Sequence, residues 1–213
     1  MHLSNLNMGK TIGVLGGGQL GKMLFEAGSP TNTSYVFLET NYECPASLVC
    51  KNQVIGSLQN EIKIKELGSL SDVVTYEIEH VNVEALLALE KSGIPVFPKP
   101  SVLTIIQDKG LQKEYYANNG VATLDFSLAT IENLADKVAA WPQDNFVLKH
   151  RKGGYDGKGV QLLTKEKFAA LLAAKDESLK SKHGYVIEKL ANNAIEVSVI
   201  VAVAQDGSTS TYP

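Results

Sequence analysis

The 213-residue chain has only two cysteines, Cys44 and Cys50, and a single arginine, Arg151. Two cysteines are too few for a disulfide framework in a chain this long, and they lack the CxxC spacing of a metal or redox site, so reduced structural thiols are expected. The longest uninterrupted apolar run, Val199 to Ala204, is far shorter than the ~20 residues needed to cross a bilayer. The polar start MHLSNLNMGK has no signal-peptide core either. A cytoplasmic location with no membrane partner is therefore expected. Twenty Lys and Arg against 23 Asp and Glu leave a formal charge of -3, which gives no electrostatic reason to expect nucleic acid as a partner. Local sites for small anions remain open. With one arginine, such sites would rely on lysine, a point charge without the guanidinium fork. No repeat or low-complexity tract interrupts an ordinary globular composition, 44% apolar and 20% charged, sized for one large or two small domains.

Patterning divides the chain near Pro98 to Ser101. Before it, the strand-like KTIGVL runs into the turn GGGQLG and then KMLFEAG, whose Met23, Leu24 and Ala27 repeat at helical spacing. Further strands are expected at SYVFLE (ending at Glu39), QVIG (Gln53 to Gly56), DVVTYEIE (Asp72 to Glu79) and IPVFP (Ile94 to Pro98), with helices at Asn60 to Leu67 and Val83 to Lys91. Alternating strands and helices predict an α/β domain with a doubly wound parallel sheet, and ligands beyond the carboxyl ends of its strands. After the break, SVLTIIQDKGLQKEYYANNG reads as one helical run, VATLDFSLA as an apolar stretch and IENLADKVAAW as a helix, with a new domain beginning near Val121. Strand NFVLKH then opens into RKGGYDGKGVQLL, a glycine loop between two strands, which predicts an antiparallel hairpin lid. Helix KEKFAALLAAK, strand GYVIEKL and the strand-like IEVSVIVAVA follow, and QDGSTSTYP reads as a hairpin turn with a returning strand. A sheet stopping there would expose an unfinished edge, so a fragment of a longer protein is expected.

Gly16, Gly18 and Gly21 satisfy GxGxxG after a strand, and Glu39 ends the next strand where a dinucleotide enzyme holds a ribose hydroxyl. The physics is broader, because a glycine turn at a helix start attracts any phosphate. A nicotinamide or flavin site, another phosphate or nucleotide ligand, and a structural turn all stay open from this motif. The second loop, Gly153 to Gly159, has four glycines among its seven residues, with Arg151, Lys152 and Lys158 adding charge around it. It suits a polyphosphate, although a solvated hairpin tip has the same composition. Lys149 interrupts an otherwise apolar strand just before this loop, and a lysine there must be paired or must reach a ligand phosphate. Glu188 and Glu196 flank LANNAI, where a carboxylate could accept ribose hydroxyls or simply be solvated.

Taken together, GGGQLGKM, ECPA (Glu43 to Ala46), TYEIEHV, QDKGLQK, LKHRKGGYDGKG and the pair Glu188 with Glu196 resemble the 5-(carboxyamino)imidazole ribonucleotide synthase family of ATP-grasp enzymes, from about Lys10 to Pro213. The resemblance implies an N-terminal doubly wound domain (residues 1–106), a linker helix with the ATP-grasp lid (107–185) and the beginning of the catalytic ATP-grasp sheet (186–213). It implies that ATP phosphorylates bicarbonate to carboxyphosphate, and that the amine of 5-aminoimidazole ribonucleotide then captures the carboxyl group. Lys109 and Lys149 match lysines that reach the ATP phosphates. Gly154, Tyr155, Asp156, Gly157, Lys158, Gly159 and Val160 match the lid over the triphosphate. Glu188, Lys189, Leu190 and Ala191 match the adenine hinge, and Glu196 matches the ribose carboxylate. Asp156 and Lys158 are the expected catalytic residues toward the aminoimidazole nucleotide, whose pocket Gly18, Gln19, Leu20 and Glu77 would border. The cofactors implied are ATP and Mg²⁺. No metal ligand is assigned within this chain; the acidic magnesium ligands are expected beyond residue 213, and the 213 residues alone are expected to be inactive. A homodimer stays open. The alternatives are another ATP-grasp ligase, such as a formate-dependent glycinamide ribonucleotide transformylase or a biotin carboxylase-like enzyme, a dinucleotide-binding oxidoreductase, and a non-catalytic nucleotide sensor.

Overall fold

Alternation of large apolar side chains along SYVFLE decides how the first sheet is built. In a computed structural model that describes residues 9–153 and 159–212, this segment is strand β2 (Ser34–Glu39), paired in parallel with β1 (Thr11–Leu15) and β3 (Gln53–Ile55). On its other side β1 pairs in parallel with β4 (Val73–Tyr76), giving the order β3-β2-β1-β4. Successive residues of a strand face opposite ways. Tyr35 and Phe37 therefore join Val14, Cys44, Ala46 and Cys50 in a core on one face, while Val36 and Leu38 join Leu15, Val54, Ile64, Leu67 and Leu86 on the other. Helix α1 (Gln19–Gly28) contributes Phe25 to the first face; α2 (Glu61–Ser69) and α3 (Val83–Lys91) cover the second. The sheet is thus wound on both faces, as its pattern predicts. Both cysteines are buried and free.

Three expected elements are shortened or broken. DVVTYEIE leaves the sheet after Tyr76, and Glu77 begins a bend. IPVFP makes only an isolated parallel bridge, Val96 to Val74. The run SVLTIIQDKGLQKEYYANNG is two helices, α4 (Pro100–Ile106) and α5 (Lys109–Asn118), because Asp108 turns out of the helix to accept from the amides of Gly110 and Leu111 at 2.9 and 3.3 Å. An aspartate at this position caps a new helix start better than it continues an old one.

The described residues form two compact units. One comprises 9–123 with 150–153, and the other 124–149 with 159–212. The second unit holds β5 (Phe126–Ala129), α6 (Leu134–Ala139), β6 (Asn145–His150, its last residue passing to the first unit), β7 (Val160–Thr164), α7 (Lys165–Ala173) and β8 (Tyr185–Glu188). Their sheet has the order β5-β8-β6-β7, with β6 and β7 antiparallel as the hairpin pattern predicts. Phe146 and Leu148 of β6 and Tyr185 and Ile187 of β8 point into one core with Leu134, Val138 and Phe168. An antiparallel hairpin, β9 (Ile200–Val203) with β10 (Thr209–Tyr212), completes the unit, and every residue of both strands is exposed. The strand-like stretch from Ile195 begins pairing only at Ile200, since β-forming residues make a strand only where a partner strand meets them.

Candidate active site

The first glycine loop binds its own carboxylates. Gly16 adopts φ of +103°, which a side chain disfavours. Its amide and the next two point at protein acceptors: Gly16 N–H donates to Leu38 O at 3.0 Å, Gly17 N–H to Glu39 Oε2 at 2.9 Å, and Gly18 N–H to Glu77 Oε1 at 3.3 Å. Space is tight as well. A Cβ on Gly16 would sit 2.6 Å from Glu77 Oε1, and one on Gly21 would sit 2.7 Å from the Gly16 carbonyl. Burial alone would raise the Glu39 carboxyl, but hydrogen bonds from Gly17 and from the Thr40 hydroxyl and amide outweigh it and hold it below the usual range. Glu77 goes the other way: burial raises it, the Gly18 hydrogen bond only partly offsets that, and the Glu39 charge raises it further. Gly18 and Glu77, both expected beside the substrate nucleotide, are thus in contact, while Gln19 and Leu20 are exposed at the start of α1.

Glu39 ends its strand where a dinucleotide enzyme holds a ribose hydroxyl. The structure gives it another role, as acceptor for a loop amide. A pyrophosphate approaching this loop meets amides already engaged and two glutamates beside them, which is the reverse of an anion site.

In the second unit, Lys149 lies in β6 directly after Leu148, which fills the core. Period-two alternation turns it to the opposite sheet face, where β8 places Glu188. The Lys149 ammonium and the Glu188 carboxylate form an ion pair, with the lysine side chain 28% exposed and the glutamate 4%. Of the two options open to a lysine in this strand, pairing is the one observed, and its partner is another predicted site residue. Lys189 is exposed; its amide donates to Asp125 O at 3.0 Å and its ammonium stands 3.8 Å from the Asp125 carboxylate. Leu190 is half-buried; Ala191 and Glu196 are exposed. Gly159 has φ of +73°, and Val160 begins β7 with its side chain exposed. Gly154, Tyr155, Asp156, Gly157 and Lys158, including both expected catalytic residues, lie outside the described residues.

Arg151, expected to add charge around the glycine loop, is itself engaged by a carboxylate. Its guanidinium grips Asp108 with two bonds, Nε to Oδ1 at 2.8 Å and Nη2 to Oδ2 at 3.0 Å. Burial would raise the Asp108 carboxyl, but the Arg151 hydrogen bonds, the cap amides and the guanidinium charge together hold it low, and the same bonds raise Arg151. The sequence signal for Asp108 is Asp followed by Lys-Gly, a helix-start pattern inside an apparently continuous helical run. Lys109, the first residue of α5, is half-buried in the first unit. Among the described residues no group of three or more His, Cys, Asp or Glu side chains could hold a metal ion. No described helix is long and apolar enough to cross a membrane.

Comparison with known proteins covers almost the whole chain. Residues 8–107 match the family described as the ribonucleotide synthetase preATP-grasp domain, and residues 114–213 match the ATP-grasp domain. The phosphoribosylaminoimidazole carboxylase of Ogataea methanolica is 35% identical over 96% of this chain and 38% of its own length. The N5-carboxyaminoimidazole ribonucleotide synthase of Brucella melitensis is 32% identical over all of this chain and 58% of its own. Among solved structures, the Staphylococcus aureus N5-carboxyaminoimidazole synthetase complexed with ADP superposes with a TM-score of 0.86 at 28% identity, covering 98% of this chain and 54% of that one. The Aspergillus clavatus enzyme in complex with ADP and 5-aminoimidazole ribonucleotide gives a TM-score of 0.80 at 27% identity, covering 97% and 53%. The chain spans about half the length of these solved relatives, and 38% and 58% of the two curated ones.

Proposed function

We infer the function from one premise: the chain belongs to the N5-carboxyaminoimidazole ribonucleotide synthase family of ATP-grasp proteins. On that premise the protein takes part in the ATP-dependent carboxylation of 5-aminoimidazole ribonucleotide, in the cytoplasm, as a step of purine biosynthesis. A bicarbonate oxygen attacks the γ-phosphorus of ATP and ADP leaves. The exocyclic amine of the ribonucleotide then takes the carboxyl group from carboxyphosphate, loses a proton and releases phosphate. Residues 1–106 supply the ribonucleotide side with Gly18, Gln19, Leu20 and Glu77. Residues 107–185 supply Lys109, Lys149 and the glycine lid, with Asp156 and Lys158 toward the substrate amine. Residues 186–213 supply Glu196, ahead of β9, for the ribose, and Glu188 to Ala191 line the adenine side.

The observation that carries this reading is the Lys149–Glu188 pair, a lysine and a carboxylate set together on the non-core face of an antiparallel sheet, at the stem of the second glycine loop. A cation held there is available to phosphate oxygens at the cost of exchanging one carboxylate for another anion. Lys149→Met in the full-length protein should weaken ATP binding or slow transfer by about 2–4 kcal/mol, as expected for a charge-assisted contact in a partly dry site. The same substitution strands a buried glutamate, so Lys149→Met/Glu188→Gln serves as the control that restores neutrality. Calorimetric ATP affinity and turnover unchanged in both variants would refute the role.

A further inference from the structure

The contact between α5 and the end of β6 is built more elaborately than a loop attachment requires. Asp108, 5% exposed, accepts four bonds: two from α5 amides and two from Arg151. The Arg151 carbonyl in return accepts from the Lys109 amide at 2.9 Å, and Asp108 O accepts from Gln112 N–H at 2.9 Å. The first four amides of α5 are therefore all consumed within the protein, so this helix start has no backbone donor left for an anion. The residue types are matched to the geometry. Arg151 is the only arginine among 20 basic residues, and it stands where two parallel bonds are made, which a lysine cannot do. Gly110 leaves the room for it, since a Cβ there would fall 2.5 Å from Arg151 Nε.

Resting on the reading that Lys109 reaches the ATP phosphates, we infer that Asp108 and Arg151 are positioning residues for Lys109, fixing the backbone from which its side chain departs. Neither touches the nucleotide. Their effect on phosphoryl transfer passes entirely through the lysine.

A double-mutant cycle in the full-length protein tests this. Asp108→Asn keeps a capping oxygen and removes the charged grip; it should lower turnover on the order of 10- to 100-fold, the size expected when a reacting group is misplaced by about 1 Å, with the KM for 5-aminoimidazole ribonucleotide unchanged. In a Lys109→Ala background the same substitution should change nothing further, because the group it positions is gone. Arg151→Lys, which keeps the charge without the fork, should follow the same pattern and serves if Asp108→Asn does not fold. ADP affinity by calorimetry gives a second readout of the cycle. Additive losses, with Asp108→Asn as damaging in the Lys109→Ala protein as in the parent, would overturn the positioning role and leave the site reading standing. A Lys109→Ala protein with normal ADP affinity and turnover would overturn both.

Discussion

Glu39 and Glu77 flank one glycine loop and hold protons unequally. The stability Glu39 contributes is present above the unfolded carboxylate pKa of about 4.3 and is lost as the pH falls through its lowered folded value. For Glu77 the sign reverses: its contribution is complete below about pH 4.3 and disappears as the pH rises through the raised folded value. Glu77→Gln, whose amide oxygen can still accept from Gly18, should therefore raise the urea midpoint modestly at pH 7 and leave it unchanged at pH 4. A lower midpoint at pH 7 would show that the charge is needed. The same carboxylates predict that NAD binds no better than AMP; micromolar NAD affinity, lost in Gly18→Val, would contradict the family assignment of this loop. GxGxxG was legible in the sequence, but what its amides bind was not, because Glu39, at the end of β2, and Glu77, just past β4, lie 22 and 59 residues away and meet the loop only in the folded domain. Lys149 was the opposite case. Its need for an anionic partner could be read from one polar residue in an apolar strand, and only the partner's identity waited for the structure.

Helix α1 shows how a loop and a helix fix each other. Its one buried residue is Gly21, pressed against the carbonyl of Gly16 and 3.3 Å, by its missing Cβ, from the ring of Phe37. Alanine favours a helix over glycine by about 1 kcal/mol, yet Gly21→Ala should destabilise by about 1–3 kcal/mol, because overpacking against backbone cannot be relieved by a rotamer change. Denaturant titration decides the sign. On β2, directly against Gly21, Phe37→Ala should cost about 3–5 kcal/mol, since this fully buried ring anchors the face beneath α1. Elements with period-two or helical patterning were legible to within a few residues. The break at Asp108 and the late start of β9 were not, for related reasons: a cap is identified by the amides it binds and a strand by its neighbour, and neither is a property of the local sequence.

Among the described residues most buried apolar side chains fall in three clusters, whereas Ile195 and Val197, just before the terminal hairpin, and Ile200 and Val203 within it are each more than two thirds exposed. Apolar surface on a strand pair with open edges promotes association. The 213-residue chain should sediment partly as larger species as its concentration rises, and Ile200→Lys with Val203→Lys should restore the monomer; a monomer at all concentrations would show that the hairpin is inert. The path of the backbone has its own consequence. It leaves the first unit after Thr123, returns at His150 with Arg151, and leaves again. The first unit is therefore spliced from two stretches of sequence, and it cannot be lifted out by a single cut. A piece ending at Thr123 would keep its parallel sheet but leave Asp108 buried without its counter-ion. Recombination at that point, in the laboratory or in evolution, would transmit the fold of the domain without the residue that neutralises it.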